Sequence, residues 1–345
     1  MARIDRYRAE DRRAVEALYR RVFGHDAAEA SRLRWEWQYE RNPAHPDGPL
    51  IWVAREGPAV VGQLATIPVR LTLRGRELDG TWGTDAMVSP ERQRQGLGEH
   101  LFRTWEAHGS AALGLGLSTS SSSLLRKLRW PILDVPCLVK PLTRRALRVP
   151  HWSAPVNRLV SAVTLPLVRV VGRARPLRAE ARLVRRFDEG FEDLWKRVAS
   201  KFDLAVRRDA RYLNWKFVAP PHVRYSIAAL QRNDEPAGYV VYRHVHEPLG
   251  RVTLVVDFLA DPDDEPGLRT LLAWVDREAH AADSDKVRCY TPHAGFRRIL
   301  RRSGYFAVKS TLEMVARIDA FDVGSGFSAQ TDRWHVTLGD GDVDR

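Results

Sequence analysis

A glycine-containing run, Gln93-Arg94-Gln95-Gly96-Leu97-Gly98, follows an apolar strand-like segment that turns at Pro90. A helical pattern begins after the run and extends to His108. At such a strand-to-helix junction the backbone N–H groups point in one direction and add to the helix dipole, which favours a bound anion. Glycines let the backbone approach a phosphate closely, and Arg92 and Arg94 supply positive charge. The sequence therefore predicts a phosphate-binding turn at residues 93–98.

The pattern Gln93-x-x-Gly96-x-Gly98, placed after the strand Asp85-Ala86-Met87-Val88-Ser89-Pro90, resembles the signature of the GNAT (Gcn5-related N-acetyltransferase) superfamily. The resemblance covers most of residues 3–140 in element order. It implies that the CoA pyrophosphate is bound by main-chain groups of Gln93, Arg94, Gln95, Gly96 and Gly98. It also implies that the strand at Met87 and Val88 splays from its neighbour, Leu113–Ser118. Its backbone would then bind the pantetheine arm and polarise the thioester carbonyl.

The resemblance implies a reaction in which a neutral amine attacks a thioester, with a carboxylate or a water chain assisting the loss of a proton. Asp85 is the candidate base, because it lies on the strand that would flank the thioester. A structural role for Asp85 is the alternative, since the sequence carries a matching Asp257. Glu36 and Tyr39 are further candidates in the segment that would line the acceptor side.

A run of serines, Ser118 and Ser120–Ser123 with Thr119 between them, follows the neighbouring strand. Ser and Thr cap helix N-termini well, so the run can cap the next helix. Its hydroxyls can also contact the pantetheine or the acceptor, and we take Ser120 as a candidate catalytic residue. Many superfamily members carry a Tyr in the following helix as the acid for the departing thiolate. The matching position here is Leu125, so that role is vacant or filled by another residue.

The elements that position these residues occur twice along the chain. Trp35-Glu36-Trp37-Gln38-Tyr39 matches Leu213-Asn214-Trp215-Lys216-Phe217, and the offset between matching segments stays at roughly 175–180 residues. Each copy is predicted to run β-α-(α)-β-β-β-α-β-α-β. The fold class is therefore α/β, with two tandem GNAT-like domains, each a mixed, mostly antiparallel sheet flanked by helices.

The repeat divides the chain into an acyl-CoA-binding domain at residues 1–142, a basic linker at residues 143–178 and a degenerate GNAT-like domain at residues 179–345. In the second copy, Asp263-Asp264-Glu265-Pro266 replaces the phosphate-binding turn. The three carboxylates repel a pyrophosphate and the proline lacks an N–H donor. We expect this copy not to bind CoA. The final residues, Asp340-Gly341-Asp342-Val343-Asp344-Arg345, are interpreted as a solvated, disordered tail.

The 345 residues carry a net charge of +12, but arginine is spread along the whole chain. This distribution argues against nucleic acid as a partner, and no metal-ligand spacing is present. Pro166 interrupts the apolar pattern of the basic segment Arg158–Arg178. We therefore interpret this segment as a linker in preference to a segment that docks on a membrane or a nucleic acid. The first residues lack the apolar stretch of a signal peptide, and no apolar run is long enough to span a bilayer. These features predict a soluble, cytoplasmic protein.

The leading hypothesis is an N-acyltransferase that moves an acetyl group from acetyl-CoA, its co-substrate, to an amine of a small molecule. One alternative is an aminoacyl-tRNA-dependent transferase resembling the Fem enzymes, which the basic charge would suit. The intact pyrophosphate motif argues against it. A non-catalytic CoA-binding or scaffold protein is the other alternative. The sequence does not identify the acceptor or the oligomeric state.

Overall fold

A computed structural model of the chain describes residues 2–45, 47–148, 153–171, 180–318 and 328–343. The strands of these residues are β1 Arg3–Arg6, β2 Ile51–Glu56, β3 Ala59–Leu73, β4 Arg76–Val88, β5 Ala111–Leu115, β6 Ile132–Asp134, β7 Cys137–Pro141, β8 Glu180–Leu183, β9 Leu204–Val206, β10 Ser226–Arg232, β11 Glu235–Glu247, β12 Gly250–Ala260, β13 Lys286–Tyr290, β14 Phe306–Val308, β15 Glu313–Ile318 and β16 Trp334–His335.

The α-helices are α1 Arg12–Phe23, α2 His25–Trp35, α3 Leu97–Glu106, α4 Thr119–Lys127, α5 Ala154–Val171, α6 Glu189–Val198, α7 Ala210–Leu213, α8 Glu265–Ala281 and α9 Ala294–Arg302. Two π-helical turns, Glu36–Glu40 and Asn214–Val218, follow α2 and α7. Short 3₁₀ turns include Pro90–Arg92 and Arg144–Leu147. No helix in the described ranges combines the length and the apolar character that crossing a membrane requires.

Within the described residues the strands form two sheets. One has nine strands, in the order β1-β2-β3-β4-β5-β15-β6, with β9 pairing both β3 and β16. The other has seven strands, in the order β14-β7-β13-β12-β11-β10-β8. The β4–β5, β12–β13 and β9–β16 pairs are parallel, while the other pairs are antiparallel. Helices flank both sheets, as the predicted fold class requires.

The two sheets exchange strands. β7 comes from the first half of the chain, yet it lies between β13 and β14 in the second sheet. β15 comes from the second half, yet it lies between β5 and β6 in the first sheet. The domain boundaries predicted from the sequence remain a prediction. The two sheets do not coincide with those domains, because β7 and β15 each lie in the sheet of the other half. Each sheet therefore needs a strand from the other half of the chain.

The repeat predicted from the sequence has a physical counterpart where the two π-helical turns meet. The Trp37 and Trp215 rings stack with centroids 5.3 Å apart and planes 22° apart. The Trp37 indole N–H donates to the Trp215 carbonyl at 2.6 Å, and the Trp215 indole N–H donates to the Trp37 carbonyl at 2.8 Å. The two bonds are reciprocal, so equivalent positions of the two copies contact each other across a local pseudo-twofold axis.

One expectation about the basic segment is wrong. The apolar pattern was expected to stop being helical at Pro166, but α5 continues through Pro166 to Val171. A proline inside a helix removes one hydrogen bond and commonly kinks it, but it does not always end it. Val168 is buried on one side of α5, where its backbone lies over Gly304.

Candidate active site

The candidate site begins where β4 and β5 separate. These parallel strands are paired only at Thr81–Ala112 and Trp82–Leu113, and β4 then continues six residues further, to Val88, without pairing β5. Trp105 of α3 packs against this point and donates its indole N–H to the Thr81 hydroxyl at 2.8 Å. A Cβ at Gly83 would lie 2.7 Å from the Trp105 ring, so only glycine fits there. The splay expected from the sequence is present.

A bulge in β4 directs Asp85 away from the strand pairing. On β3, Gln63 faces Met87 and Ala65 faces Thr84, so Asp85 and Ala86 oppose one residue. Asp85 has a left-handed φ of 44°, which is uncommon outside glycine. The bulge places its carboxylate among side chains of α1 and α2 and of the π-helical turn that follows them.

The turn at residues 93–98 connects β4 to α3. Arg94 and Gly96 have left-handed φ values of 59° and 84°, and Gly96 is the N-cap of α3. The first turn of a helix leaves its N–H groups without intrahelical partners. The first intrahelical bond of α3 here is donated by the His100 N–H to the Gly96 carbonyl at 3.1 Å. The N–H groups of Gly96, Leu97, Gly98 and Glu99 are therefore the helix-terminal donors without intrahelical partners, which is the arrangement that can hold an anion.

A cavity of about 560 Å³ lies beside this turn. Of the predicted CoA-binding residues, all except Gln95 line it; they are Met87, Val88, Gln93, Arg94, Gly96 and Gly98. The Gln95 side chain instead donates to the Glu91 carbonyl at 2.9 Å. Ser120 also lines the cavity. The role of each of these residues remains a prediction.

Arg94 is the available positive charge at the turn. Arg92 makes two hydrogen bonds to Glu56, at 3.0 and 2.7 Å, and Lys127 bonds to Glu99 at 2.9 Å. Arg94 is exposed and makes no ion pair with the described residues. A bound phosphate would therefore meet an uncompensated guanidinium at Arg94 and a neutralised one at Arg92.

A second cavity, of about 380 Å³, adjoins the first and shares the lining residues Phe23, Leu64, Ala86, Phe102, Ser118 and Ser121 with it. The bulge residue Asp85 lines the second cavity. Its carboxylate accepts hydrogen bonds from Tyr19 at 3.1 Å and Tyr39 at 2.6 Å, and it pairs with Arg34 at 3.5 Å. Burial and the Asp85 carboxylate together raise the pKa of Tyr39 well above its usual value. Tyr39 therefore holds its proton toward Asp85.

The other predicted positions divide between the cavities and the surface. The Ser118 hydroxyl accepts from the Ser121 N–H at 3.1 Å and caps α4, as expected for the serine run. Leu125 is buried and lines the second cavity. Glu36 lines neither cavity, because its exposed side chain points to Arg41 and bonds to it at 2.5 Å. The geometry thus brings Asp85 and Ser120 to the cavities and leaves Glu36 outside.

Comparisons with known proteins bear on this geometry. Residues 3–119 match the sequence profile of the acetyltransferase (GNAT) domain family. This part of the chain is a GNAT domain. No curated protein matches the sequence.

Solved structures share the fold across most of the chain. A probable N-acyltransferase from Enterococcus faecalis superposes with a TM-score of 0.63 at 11% identity, covering 92% of this chain and 73% of the other. A GCN5-related N-acetyltransferase from Anabaena variabilis gives 0.61 at 13% identity, with the same coverage. The N-myristoyltransferase of Saccharomyces cerevisiae with bound myristoyl-CoA gives 0.55 at 13% identity, covering 91% of this chain and 82% of the other.

The C-terminal segment reaches the second cavity of the GNAT domain. The sequence did not predict this contact. Residues 340–345 are predicted from the sequence to be a disordered tail, and for residues 340–343 that prediction is wrong. Gly341 packs against Leu115, and Val343 packs against Gly116. The Asp342 carboxylate accepts a hydrogen bond from the Thr84 hydroxyl, next to Asp85 in sequence, and lines the second cavity. Residues 344 and 345 lie outside the described residues.

Buried charges anchor this segment to the second sheet. Arg208 bonds to Asp257 at 3.0 Å and to Asp340 at 2.9 Å, and each of the three side chains is only 1% exposed. Burial opposes the charge of Arg208, but the two carboxylates outweigh it and raise its pKa well above the usual value. Lys216 also donates to the Gly341 carbonyl at 2.6 Å. The position of Asp342 in the GNAT domain therefore depends on side chains of the second half.

The matching helix start in the second half is occupied by the chain's own side chains. Asp264 is the N-cap of α8 and accepts from the Gly267 N–H at 3.1 Å. The Asp261 carboxylate accepts from the Asp263 N–H at 2.9 Å. The start of α8 thus presents carboxylates, whereas the matching start of α3 in the GNAT domain presents glycines. Carboxylates at this position disfavour a bound phosphate.

Proposed function

We propose that the chain is an acyl-CoA-dependent N-acyltransferase that moves an acetyl group from acetyl-CoA to an amine of a small molecule. The observation that carries the proposal is the joint placement of the splayed strands and the turn at residues 93–98. Both border the cavity of about 560 Å³. A pyrophosphate at the turn and a thioester between the strands would then lie along one continuous cavity.

The donor side follows from the chemistry of the backbone. The N–H groups at the start of α3 and the guanidinium of Arg94 bind the pyrophosphate of the co-substrate. Beyond the splay, backbone groups near Met87 and Val88 pair with the pantetheine arm. A backbone N–H there donates to the thioester carbonyl and stabilises the negative charge that develops on its oxygen.

The acceptor side is the second cavity, whose carboxylates attract a cationic amine. Asp85 is already bonded to Tyr19, Tyr39 and Arg34, so its carboxylate is the less available proton acceptor. Asp342 is partly exposed and enters the cavity from the C-terminal segment. We infer that Asp342 receives the proton, either directly or through a water, and that Asp85 positions the two phenols.

The reaction then balances as follows. The amine nitrogen attacks the thioester carbonyl carbon, the new C–N bond forms and the C–S bond breaks. The amine enters as an ammonium ion and loses one proton to the Asp342 carboxylate before it attacks. It loses a second proton as the amide forms, and that proton passes through water to the departing thiolate, so CoA leaves as the thiol. The proton donor for the thiolate is not a tyrosine of α4, since Leu125 occupies that position.

The test is mass spectrometry of a panel of small amines incubated with acetyl-CoA and, separately, with longer acyl-CoA thioesters. The wild type is expected to add an acyl mass to at least one amine, and Gly96→Trp to lose both CoA binding and turnover. Gly75→Trp is the matched control, because Gly75 has a similar φ of 79° and the same open surroundings but lies in the β3–β4 turn. Equal acylation by the wild type and Gly96→Trp would place the donor site elsewhere.

Two further arms separate the roles of the carboxylates and of the donor. Asp342→Asn is expected to lower kcat by roughly 100-fold or more while CoA binding is kept, as for the loss of a general base. Unchanged turnover would eliminate Asp342 from the reaction. Binding of acetyl-CoA in the absence of RNA separates the proposal from an aminoacyl-tRNA-dependent transferase. CoA binding with no acylation of any amine would favour a scaffold role instead.

A further inference from the structure

Helix α5 presents an apolar face to solvent. Its large apolar residues with 44–67% exposure are Val156, Leu159, Val163, Leu167 and Val170. The opposite side of the helix packs on the second sheet, where Ser161 and Val168 are buried and β7 lies beneath. A surface helix normally turns its apolar stripe inward. α5 has one apolar face packed inward and a second one outward.

The exposed residues form one continuous stripe. At about 100° per residue, the five positions fall within an arc of roughly 80° and extend over about four turns of helix. Pro166 is exposed beside this arc, and Arg158 is exposed on its polar side. Scattered exposed apolar side chains need no explanation, whereas a contiguous stripe marks an interaction surface.

The charge around α5 indicates what covers the stripe. From Val135 to Ala179 the sequence contains nine Lys and Arg residues and no Asp or Glu. Lys140 is buried and paired with Asp276 at 2.5 Å, so it does not contribute to the surface. Arg148 and Arg158 are exposed and make no ion pair with the described residues. An apolar stripe on a stretch of chain that contains arginines and no acidic residue is complementary to a negatively charged, apolar surface.

A second exposed apolar group lies beside the same basic region. Leu249 is 75% exposed at the tip of the β11–β12 hairpin. The next residue, Gly250, is close to Arg145 of the 3₁₀ turn that precedes α5, because a Cβ at Gly250 would lie 3.4 Å from the Arg145 Cδ. Arg145 lies 3.8 Å from the Asp285 carboxylate, but its own side chain is 71% exposed while that of Asp285 is 10% exposed, so the guanidinium remains at the surface. An apolar loop tip beside such an arginine is the arrangement in which an apolar side chain enters a bilayer interface while a guanidinium meets the headgroups.

We propose that α5 docks on the surface of a membrane that contains anionic phospholipid. The helix lies in the plane of the interface, with the stripe from Val156 to Val170 facing the acyl chains and the arginines facing the phosphates. The occupant is a lipid surface rather than a nucleic acid, because a nucleic acid would gain nothing from five exposed aliphatic side chains. The proposal stands independently of the acyltransferase activity.

Co-sedimentation with phospholipid vesicles tests the proposal on the full chain. One vesicle preparation is phosphatidylcholine alone, and the other has one part phosphatidylglycerol to two parts phosphatidylcholine. The wild type is expected to sediment with the second preparation and to remain largely in solution with the first. Raising the salt concentration is expected to weaken the binding, because headgroup charges are screened.

The decisive variant is the double substitution Leu159→Ser with Val163→Ser, whose side chains are 67% and 63% exposed. It is expected to partition at least about tenfold more weakly, because two aliphatic side chains no longer enter the interface. The matched control is Leu33→Ser with Leu183→Ser, both 59% exposed on other elements, and it is expected to bind as the wild type. Circular dichroism on both doubles checks that the fold is kept.

A charge variant gives an independent readout. Arg158→Glu is expected to reduce binding to the anionic vesicles several-fold, while Arg224→Glu, an exposed arginine elsewhere, leaves it unchanged. Three results would overturn the proposal: no sedimentation of the wild type with either vesicle, equal binding by the Leu159/Val163 double variant, or a lipid-free dimer that this double variant alone converts to a monomer. The last result would assign the stripe to a second copy of the chain.

Discussion

Arg208 is expected to be the residue on which the C-terminal segment depends most. In Arg208→Met a side chain of similar length fills the site, but Asp257 and Asp340 lose their shared cation inside the protein. Removing one partner of a buried ion pair typically costs about 3–5 kcal/mol, because an uncompensated charge is left behind. Since the three side chains are each 1% exposed, we expect a loss of unfolding free energy in that range at neutral pH.

The loss should depend on pH in a defined direction. Burial, together with the charge of Asp257, already raises the pKa of Asp340 despite the attraction of Arg208. Without Arg208 the folded state should keep the Asp340 carboxyl protonated to still higher pH. A group whose pKa is higher in the folded than in the unfolded state stabilises the folded state at pH values below its unfolded pKa. This stabilisation is lost as the pH rises through the folded-state pKa. The deficit of the variant relative to the wild type should therefore be small near pH 4 and largest above neutrality.

Urea denaturation of both proteins at several pH values measures this effect. Arg207→Met is the matched control, because the adjacent arginine is 30% exposed and pairs with Glu77 and Asp209 at the surface. Surface pairs contribute roughly 0–1 kcal/mol, so the control should lose little. Adding Asp340→Asn to Arg208→Met should restore part of the stability. If Arg208→Met were no more destabilising than Arg207→Met at neutral pH, the anchoring role would be refuted.

Three further predictions concern the GNAT domain and the titration of the core. Gly96→Ala and Gly75→Ala should each lower stability by roughly 1–3 kcal/mol, because both glycines have left-handed φ values, but calorimetry should show weaker CoA binding only for Gly96→Ala. Arg94→Ala should weaken CoA binding about tenfold, and Arg92→Ala much less, because Glu56 neutralises Arg92. Burial lowers the pKa of His293 to about 4. The neutral His293 side chain should thus stabilise the fold at pH values above its unfolded pKa near 6.5, and this stabilisation should be lost as the pH falls toward 4. In His293→Asn, asparagine keeps an N-cap on α9, and the urea midpoint of unfolding should fall less on acidification than that of the wild type. An equal fall of the two midpoints would exclude His293 as a source of the acid sensitivity.

Local features of the site were predictable because their determinants are adjacent in sequence. The strand ending at Val88, the turn at residues 93–98 and the start of α3 follow from apolar runs, glycines and helix signals within a short window. Ser118 was predicted as a cap for the same reason. The repeat supplied the order of the remaining elements, and the stacked Trp37–Trp215 pair occurs at the predicted offset.

Features that depend on distant partners were not predictable. Whether β7 pairs with β5 or with β13 depends on which sheet offers a free edge, and neither strand's own sequence contains that information. The segment containing Asp340 and Asp342 has the composition of a solvated tail, and its order comes from Arg208, which lies more than a hundred residues earlier. The full helix of residues 154–171 is not predictable from its own sequence, because a proline inside an apolar pattern indicates a helix end.

Asp85 shows the limit of assigning roles from a motif. Its sequence position beside the splay predicted a base, and the structure surrounds it with two phenols and an arginine. The equivalent Asp257 has a similar set of partners, with Tyr239 at 2.7 Å and Arg208 at 3.0 Å. The network recurs in the second half, where carboxylates stand at the position of the 93–98 turn, and this favours a positioning role. The assignment of Asp85 as the base remains a prediction.

The exchange of β7 and β15 has a consequence for how the protein is made. During synthesis the N-terminal half leaves the ribosome first, carrying the complete turn at residues 93–98. Its sheet still lacks β15, and the second cavity lacks Asp342, until the chain has been made as far as residue 343. Pairings this distant in sequence form late because of the entropy of closing long loops. A nascent chain therefore passes through a stage with exposed edges on both sheets, and the second cavity is completed only after residue 343 has been made.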